Sequence, residues 1–175
     1  MNEQTKPYNI LFLCTHNSAR SVMAECVINR LGAGRFVGYS AGSQPSGAIN
    51  PAVKTLLERL NYDTSGLHSK DWSDFATPDA PHMDFVITVC DQAAGEVCPV
   101  WPGQPMTAHW GFPDPSSFEG TDSEKAAFVA DVYRMIERRI GIFVNLPIDG
   151  LERLKLQQHL DAIGRTSLTP EPAGG

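Results

Sequence analysis

Two residues suited to nucleophilic chemistry, Cys14 and Arg20, lie six positions apart near the N-terminus. The segment that contains them follows an apolar run and reads Cys14-Thr15-His16-Asn17-Ser18-Ala19-Arg20-Ser21. A loop over a helix N-terminus turns backbone N–H groups towards a tetrahedral oxyanion, and an arginine adds a planar fork of donors. In that positive field the pKa of the Cys14 thiol would fall, which makes its thiolate a nucleophile near neutral pH. The spacing alone leaves a second interpretation open, in which a buried core cysteine precedes a surface arginine.

Cys90 and Cys98 are the second pair with chemical potential. A continuous helix over residues 90–98 would place their Cα atoms about 12 Å apart at ~1.5 Å rise per residue. A disulfide needs a Cα separation of about 4.4–6.8 Å, so a bond between them requires the segment to loop out, which Gly95 favours. Two unrelated core thiols are the alternative. Zinc is disfavoured, because the spacing exceeds that of a Cys-x2-4-Cys knuckle and no close histidine pair completes a site.

Asp114 lies between Pro113 and Pro115, on a loop that the two prolines stiffen. A carboxyl group held over an anion site could donate a proton to a departing oxygen, provided that the neighbouring anion raises its pKa. An ordinary aspartate in a turn is the alternative. The remaining cysteine, Cys26, lies on the apolar face of a predicted helix, and we expect it to pack in the core.

These side chains need elements that bring them together, and the apolar patterns predict them. Strands are predicted over residues 8–13, 36–41, 85–89 and 106–110, and helices over 22–31, 51–60, 71–75, 122–139 and 151–163. Their alternation predicts a single α/β domain with a central parallel four-stranded sheet flanked by helices on both faces. Cys14 and Cys90 would then lie at the carboxyl edge of the sheet, where ligands bind. Three arginines of the long helix are predicted to form a solvated face: Arg134, Arg138 and Arg139.

Length and charge restrict the class of protein further. The chain has 175 residues and a net charge of −6, which suit one globular domain and argue against nucleic acid or an anionic membrane surface as partner. The polar N-terminus contains no signal-peptide core, so we expect a cytoplasmic protein, and we expect a monomer. The predicted divisions are a domain over 8–146, a C-terminal helical extension over 147–165, and a disordered tail over 166–175.

Several motifs together resemble the arsenate reductases that share the low-molecular-weight protein tyrosine phosphatase fold. The resemblance covers residues 8–139 and includes the loop from Cys14 to Ser21 with the Met23-Ala24-Glu25 that follows it. The other motifs are Tyr39-Ser40-Ala41-Gly42, Val86-Ile87-Thr88-Val89-Cys90, Cys98-Pro99, and His109-Trp110-Gly111-Phe112 before Asp114-Pro115.

The resemblance implies a sequence of three thiol reactions. Cys14 would attack arsenate, whose oxygens Arg20 and the loop residues Thr15, His16, Asn17, Ser18, Ala19 and Ser21 hold, while Asp114 protonates the leaving oxygen. Cys90 would then release arsenite and leave a Cys14–Cys90 disulfide, and Cys98 would free Cys14. No bound cofactor is implied. The oxidised pair would pass to thioredoxin, with glutathione or glutaredoxin as another route, and phosphate and sulfate would compete for the loop.

Some positions differ from the wider family. The phosphatase branch has a second cysteine in the loop and aromatic residues after Asp-Pro, where this chain has Ala19 and Ser116-Ser117. A phosphatase acting through Cys14 is nevertheless one alternative function, and a redox or oxyanion sensor without turnover is another. Some relatives bind potassium near the loop, and the matching positions here are Asn17, Ser40, Ser69 and Asp71, with Ser69 in place of threonine.

Overall fold

The computed structural model describes residues 6–90, 101 and 103–166 of the chain. Within these residues the strands are β1 (Tyr8–Cys14), β2 (Phe36–Gly42), β3 (Phe85–Thr88) and β4 (Met106–His109). The α-helices of the same residues are α1 (Arg20–Leu31), α2 (Pro51–Arg59), α3 (Asp122–Val144) and α4 (Arg153–Gly164). Short 3-10 helices lie at Trp72–Phe75, Pro115–Ser117 and Ile148–Gly150.

The strands form one parallel sheet in the order β2-β1-β3-β4, which confirms the predicted four-stranded sheet. The uninterrupted apolar run of β1 fits its central place, because a strand covered on both faces has no polar side. Leu13 pairs with Thr88 and Cys14 pairs with Gly42. The last residues of β1 and β3 therefore meet at the same carboxyl edge of the sheet.

Each face of the sheet packs against helical structure. On one face Ile10, Phe12 and Ile87 belong to a single hydrophobic cluster with buried residues of all four α-helices. On the other face Leu11 and Val86 pack with Phe75 of the first 3-10 helix and with Trp101. Helices on both faces, as predicted, leave no apolar side of β1 or β3 exposed, and each fully buried large apolar side chain contributes about 1.5–3 kcal/mol.

The helix starts follow local capping chemistry. The Asn50 side chain accepts from the N–H groups of Ala52 and Val53 at 2.9 and 3.3 Å, and Pro51 takes the first helical position of α2. At the start of α3, Thr121 and Glu124 form a reciprocal capping box. The predicted end of α3 near residue 139 is wrong, because α3 continues through Gly141 to Val144.

The C-terminal helix α4 packs on the same core. Its Leu156, Leu160 and Ile163 are buried in the cluster that contains Phe12, and Leu160 O accepts from the Trp110 indole N–H at 3.0 Å. The division of the chain at residues 146 and 165 stays a prediction. Of the predicted tail over 166–175, only Thr166 lies within the described residues. Among the helices of this described part, none is long and apolar enough to cross a membrane.

Candidate active site

Asn17 fixes the conformation of the loop between β1 and α1. It is completely buried and adopts a left-handed backbone conformation with φ 48°, which asparagine tolerates better than most residues. Its Nδ2 donates to Ser21 Oγ at 2.8 Å, and its Oδ1 accepts from the Lys70 N–H at 2.8 Å. Asn17 thereby ties the loop to the first turn of α1 and to the segment before the 3-10 helix.

The loop carbonyls are bound from one side. Thr15 O, His16 O and Ser18 O accept from the N–H groups of Gln44, Ser46 and Asn50, at 2.8, 3.0 and 2.9 Å respectively. In a trans peptide the N–H points opposite to the C=O, so the N–H groups that follow these carbonyls point away from residues 44–50.

The end of β2 lies very close to this loop. A Cβ on Gly42 would lie 2.5 Å from Thr15 O and 3.0 Å from the Asn17 nitrogen, so only glycine fits at this position. Ala19, at the N-cap of α1, has no polar side chain that could accept from the free N–H groups of the first turn.

Cys14 ends β1 as a free thiol with 4% of its surface exposed. Its thiol hydrogen-bonds to that of Cys90, itself 2% exposed, and Thr15 Oγ1 lies 3.5 Å from Cys90 Sγ. The contact with Cys90, followed by burial, raises the pKa of Cys14, whereas Arg20 and the Thr15 N–H lower it. The predicted low pKa of Cys14 is therefore wrong for this arrangement, because the second thiol lies against the nucleophile and two adjacent sulfurs resist carrying two negative charges.

Arg20 begins α1 and points back towards the loop that contains Asp114. Its Nη1 donates to Phe112 O at 3.0 Å, and its Nη2 lies 3.6 Å from Asp114 Oδ2. Its Nε is buried and has no hydrogen-bond partner among the residues that the structure describes. A buried guanidinium donor without a partner is unfavourable by itself, and an anion bound in the loop would satisfy it.

Asp114 is held as the N-cap of the 3-10 helix Pro115–Ser117. Its Oδ1 accepts from the Ser116 N–H at 2.9 Å and its Oδ2 accepts from Ser117 Oγ at 2.8 Å. Ser116 Oγ in turn accepts from Asn50 Nδ2 at 3.0 Å. The two serines that replace the aromatic pair of the phosphatase branch thus orient the carboxylate and connect its loop to α2.

The structure brings together most of the side chains that the sequence singled out. Cys14, Arg20, Cys90 and Asp114 lie around the loop of residues 14–21, whereas Cys98 lies outside the described residues. Cys26 is buried on α1, as expected, and burial raises its pKa to about 12.

The four potassium candidates lie around the segment 69–71 that contacts the loop. Ser69 Oγ donates to His16 O at 2.9 Å, Ser40 Oγ donates to Glu25 Oε1 at 2.9 Å, Asn17 accepts from the Lys70 N–H, and Asp71 caps the 3-10 helix Trp72–Phe75. The Lys70 ammonium lies 3.7 Å from Glu25 Oε1. Potassium binding stays a prediction. No group of three or more His, Cys, Asp or Glu side chains in the described part of the chain could hold a metal ion.

Sequence reasoning missed two side chains at this site. The first is the Thr15 hydroxyl, which contacts Cys90, whereas the sequence assigns Thr15 only to the oxyanion-binding loop. The second is Arg139, which is 4% exposed and donates to Gly111 O beside Phe112, so its predicted place on a solvated face is wrong. The apolar spacing of α3 indicates that Arg139 faces inward, because position 139 follows the buried Ile136 by three residues and therefore lies on the same face of the helix.

The match to a family model defines the class of protein. Residues 9–158 match the model described as low molecular weight phosphotyrosine protein phosphatase, and the chain belongs to this family. A solved phosphotyrosine phosphatase of this type from Vibrio cholerae, 17% identical, has the same fold with a TM-score of 0.56 over 78% of this chain and 93% of that one.

More similar relatives carry a different name. Arsenate reductase of Bacillus licheniformis is 41% identical over 136 residues, which cover 77% of this chain and 93% of that protein. Arsenate reductase of Bacillus subtilis is 36% identical over 135 residues, with the same coverage. A crystal structure of arsenate reductase from Archaeoglobus fulgidus superposes with a TM-score of 0.57 at 28% identity, over 78% of this chain and 99% of that one.

Proposed function

We propose that this chain reduces arsenate to arsenite through its own cysteines, as a step of arsenic detoxification. The observation that carries the proposal is the contact between the thiols of Cys14 and Cys90 at the end of two neighbouring parallel strands. A phosphatase needs one nucleophilic thiol, whereas a reductase needs a second thiol that can reach the first. The names of the relatives that match most of the chain support the same choice.

The first step is the formation of a bond between Cys14 sulfur and arsenic(V). The loop N–H groups and the Nε of Arg20 hold the arsenate oxygens. The sulfur of Cys14 attacks arsenic while the thiol proton passes to an arsenate oxygen, and one arsenic–oxygen bond breaks so that this oxygen leaves as water. Asp114 is the proton donor for that oxygen, since its carboxylate lies 3.6 Å from the Arg20 guanidinium.

The second step transfers two electrons to arsenic. Cys90 sulfur attacks Cys14 sulfur, and the sulfur–arsenic bond breaks with its electron pair on arsenic. Arsenite is released, and a Cys14–Cys90 disulfide remains. Cys90 needs no large movement for this attack, because it already contacts Cys14. Thr15 Oγ1, 3.5 Å from Cys90 Sγ, is placed to stabilise the Cys90 thiolate by a hydrogen bond.

The third step regenerates the nucleophile. Cys98 attacks Cys90, which frees Cys14 and leaves a Cys90–Cys98 disulfide for an external thiol reductant to reduce. Thioredoxin is the proposed reductant, with glutaredoxin and glutathione as the other route. A reducing cytoplasm would keep all three thiols ready for the first step, and we therefore retain the predicted cytoplasmic location.

The deciding experiment measures arsenate-dependent NADPH oxidation with thioredoxin and thioredoxin reductase, and separately with glutaredoxin, glutathione and glutathione reductase. Wild type is compared with Cys90→Ser and Cys98→Ser, and Cys26→Ser is the matched control because Cys26 is buried on α1, outside the loop of residues 14–21. We expect multiple turnover in wild type and Cys26→Ser, and loss of turnover in the other two variants. Full turnover in both Cys90→Ser and Cys98→Ser would exclude the relay.

Mapping of disulfides by mass spectrometry after one equivalent of arsenate isolates each step. Wild type should contain the Cys90–Cys98 pair, Cys98→Ser should stop at Cys14–Cys90, and Cys26 should stay reduced in both. A different pairing would contradict the order of attack.

Phosphoester hydrolysis through Cys14 is the second candidate function, and the family match favours it. It would use Cys14, Arg20 and Asp114 and would not need Cys90. Hydrolysis of para-nitrophenyl phosphate that survives Cys90→Ser, combined with no arsenate reduction by wild type, would support this candidate.

A further inference from the structure

Arg139 is a buried positive charge near the C-terminal end of α3. Its Nη1 donates to Gly111 O at 2.9 Å, and its Nη2 donates to Gly164 O at 3.2 Å and to Thr166 O at 3.0 Å. It forms no ion pair with any carboxylate in the described part of the chain. A buried charge is strongly unfavourable unless other groups compensate it. Here three carbonyl oxygens from two separate segments accept hydrogen bonds from one guanidinium, so Arg139 connects those segments.

One side of Arg139 holds the residues that precede Asp114. The guanidinium lies 4.9 Å from the centre of the Phe112 ring, in addition to its hydrogen bond with the neighbouring Gly111. Phe112 O is the acceptor for Arg20 Nη1 at 3.0 Å. Arg139 therefore contacts both the peptide that precedes Phe112 and the Phe112 ring, next to the carbonyl that accepts from Arg20.

The other side of Arg139 is anchored by the C-terminal end of α4. Gly164 is the last residue of α4 and Thr166 follows it, so the guanidinium caps the negative end of that helix. The helix end is itself fixed, because a Cβ on Gly164 would lie 2.3 Å from His109 O.

We propose that Arg139 is a positioning residue that links the C-terminal helix to Arg20, and that α4 is therefore a support of the oxyanion site. Arg139 holds Gly111 and Phe112 against α4, and Phe112 O binds Nη1 of Arg20 and so sets the orientation of the guanidinium, whose Nε has no partner in the described part of the chain. The proposal rests on the anion-binding part of the proposed function and is independent of arsenate reduction.

The first test measures how well Arg20 attracts an anion to Cys14, without arsenate. Iodoacetate and iodoacetamide alkylate the same thiol, but only iodoacetate is negatively charged, so the ratio of their rates at Cys14 cancels changes in thiol exposure and pKa. Rates are followed by mass mapping of the Cys14 peptide at a temperature where circular dichroism shows each variant folded. We expect Arg139→Met to lower the ratio by roughly three- to tenfold, a size typical of a lost charge-assisted hydrogen bond near a site. Arg139→Lys should lower it less.

The matched control is Arg138→Met, an exposed arginine next to Arg139 on α3, which should leave the ratio unchanged. The Kd for inorganic phosphate, measured by calorimetry, should rise by a similar factor in Arg139→Met and stay constant in Arg138→Met. If Arg139→Met does not fold, Arg139→Lys carries the test alone. The proposal is overturned if folded Arg139→Met has the same ratio as wild type. Where the methionine variant does not fold, the same result in folded Arg139→Lys overturns it.

A double-mutant cycle separates positioning from general loosening of the structure. If Arg139 acts through Arg20, then Arg139→Met should lower the ratio in wild type and leave it unchanged in the Arg20→Met background. An equal loss in both backgrounds would show that Arg139 acts by another route and would overturn the proposal. Failure of arsenate reduction in wild type leaves all of these readouts intact, so the two proposals fail separately.

Discussion

The thiol of Cys14 hydrogen-bonds to the thiol of Cys90, and this contact, more than any other in the site, raises the pKa of Cys14. The contact follows from the sheet, because β1 and β3 are parallel neighbours and each places a cysteine just past the paired residues Leu13 and Thr88. The arrangement that brings a resolving thiol within reach of the nucleophile therefore also favours the protonated form of the pair.

Replacement of Cys90 with alanine should lower the pKa of Cys14. The substitution removes the largest cause that raises this pKa and leaves Arg20 and the Thr15 N–H, which lower it. The rate of iodoacetamide alkylation at Cys14 as a function of pH reports the change, and its midpoint should lie at lower pH in Cys90→Ala than in wild type. Cys26→Ala is the control with no expected shift. An unchanged midpoint would mean that Cys90 does not affect the pKa of Cys14, and a higher midpoint would mean that Cys90 stabilises the Cys14 thiolate; either result would contradict the prediction.

Asp114→Asn should abolish proton donation while it keeps the shape of the loop. Asparagine can still accept from the Ser116 N–H, as Asp114 Oδ1 does now. We expect the rate of the first half-reaction, the release of the first equivalent of arsenite in a single turnover, to fall by about 10²–10⁴-fold. Ser117→Ala is the comparison, because it keeps the carboxylate and removes the hydrogen bonds of Ser117 Oγ to Asp114 Oδ2 at 2.8 Å and to Asp114 O at 3.5 Å; it should cost about tenfold or less. Equal rates in wild type and Asp114→Asn would remove Asp114 from the mechanism.

Local chemistry made the sheet and the loop predictable. In a chain of alternating strands and helices, the apolar runs of β1 and β3 predict buried parallel strands. The start of α2 at Asn50-Pro51 follows from capping alone. Contacts between side chains that are far apart in the sequence were harder to predict. The prediction that Cys14 is a thiolate rested on the positive field of the loop and left out the thiol of Cys90. The parallel pairing of β1 and β3 nevertheless predicts that Cys90 lies near Cys14.

Arg139 shows the same limit at a single position. Its neighbours Arg134 and Arg138 are exposed, as the charge pattern of α3 predicts, but Arg139 points inward with Ile136 and Ile140. The composition of a charged cluster cannot reveal that one member finds three buried carbonyls, because two of those carbonyls come from the far end of α4. Tertiary contacts determine that Arg139 is buried, and in the sequence only the helical spacing indicates it.

Asn17→Ala should destabilise the protein by about 3 kcal/mol or more, since it leaves two buried hydrogen-bonding groups without partners and places alanine in a left-handed conformation. The orphaned groups are the Lys70 N–H and Ser21 Oγ. Asn17→Gly loses the same hydrogen bonds but tolerates the φ of 48°, so it should be less destabilised by about 1 kcal/mol. Urea unfolding of the two variants and wild type measures both differences. If the two variants are equally stable, the backbone conformation contributes nothing at this position.

Gly141 on α3 and Gly164 on α4 should respond in opposite directions to substitution by alanine. A Cβ on Gly164 would lie 2.3 Å from His109 O, so Gly164→Ala must push α4 away from the end of β4 and should cost about 1–3 kcal/mol of stability. Gly141 lies inside α3 with nothing within 4 Å of its Cβ position, so Gly141→Ala should stabilise the chain by about 0.5–1 kcal/mol. Thermal and urea unfolding check both signs. If Gly164→Ala is as stable as wild type, α4 does not pack tightly against β4, and its end is too loosely held to anchor Arg139.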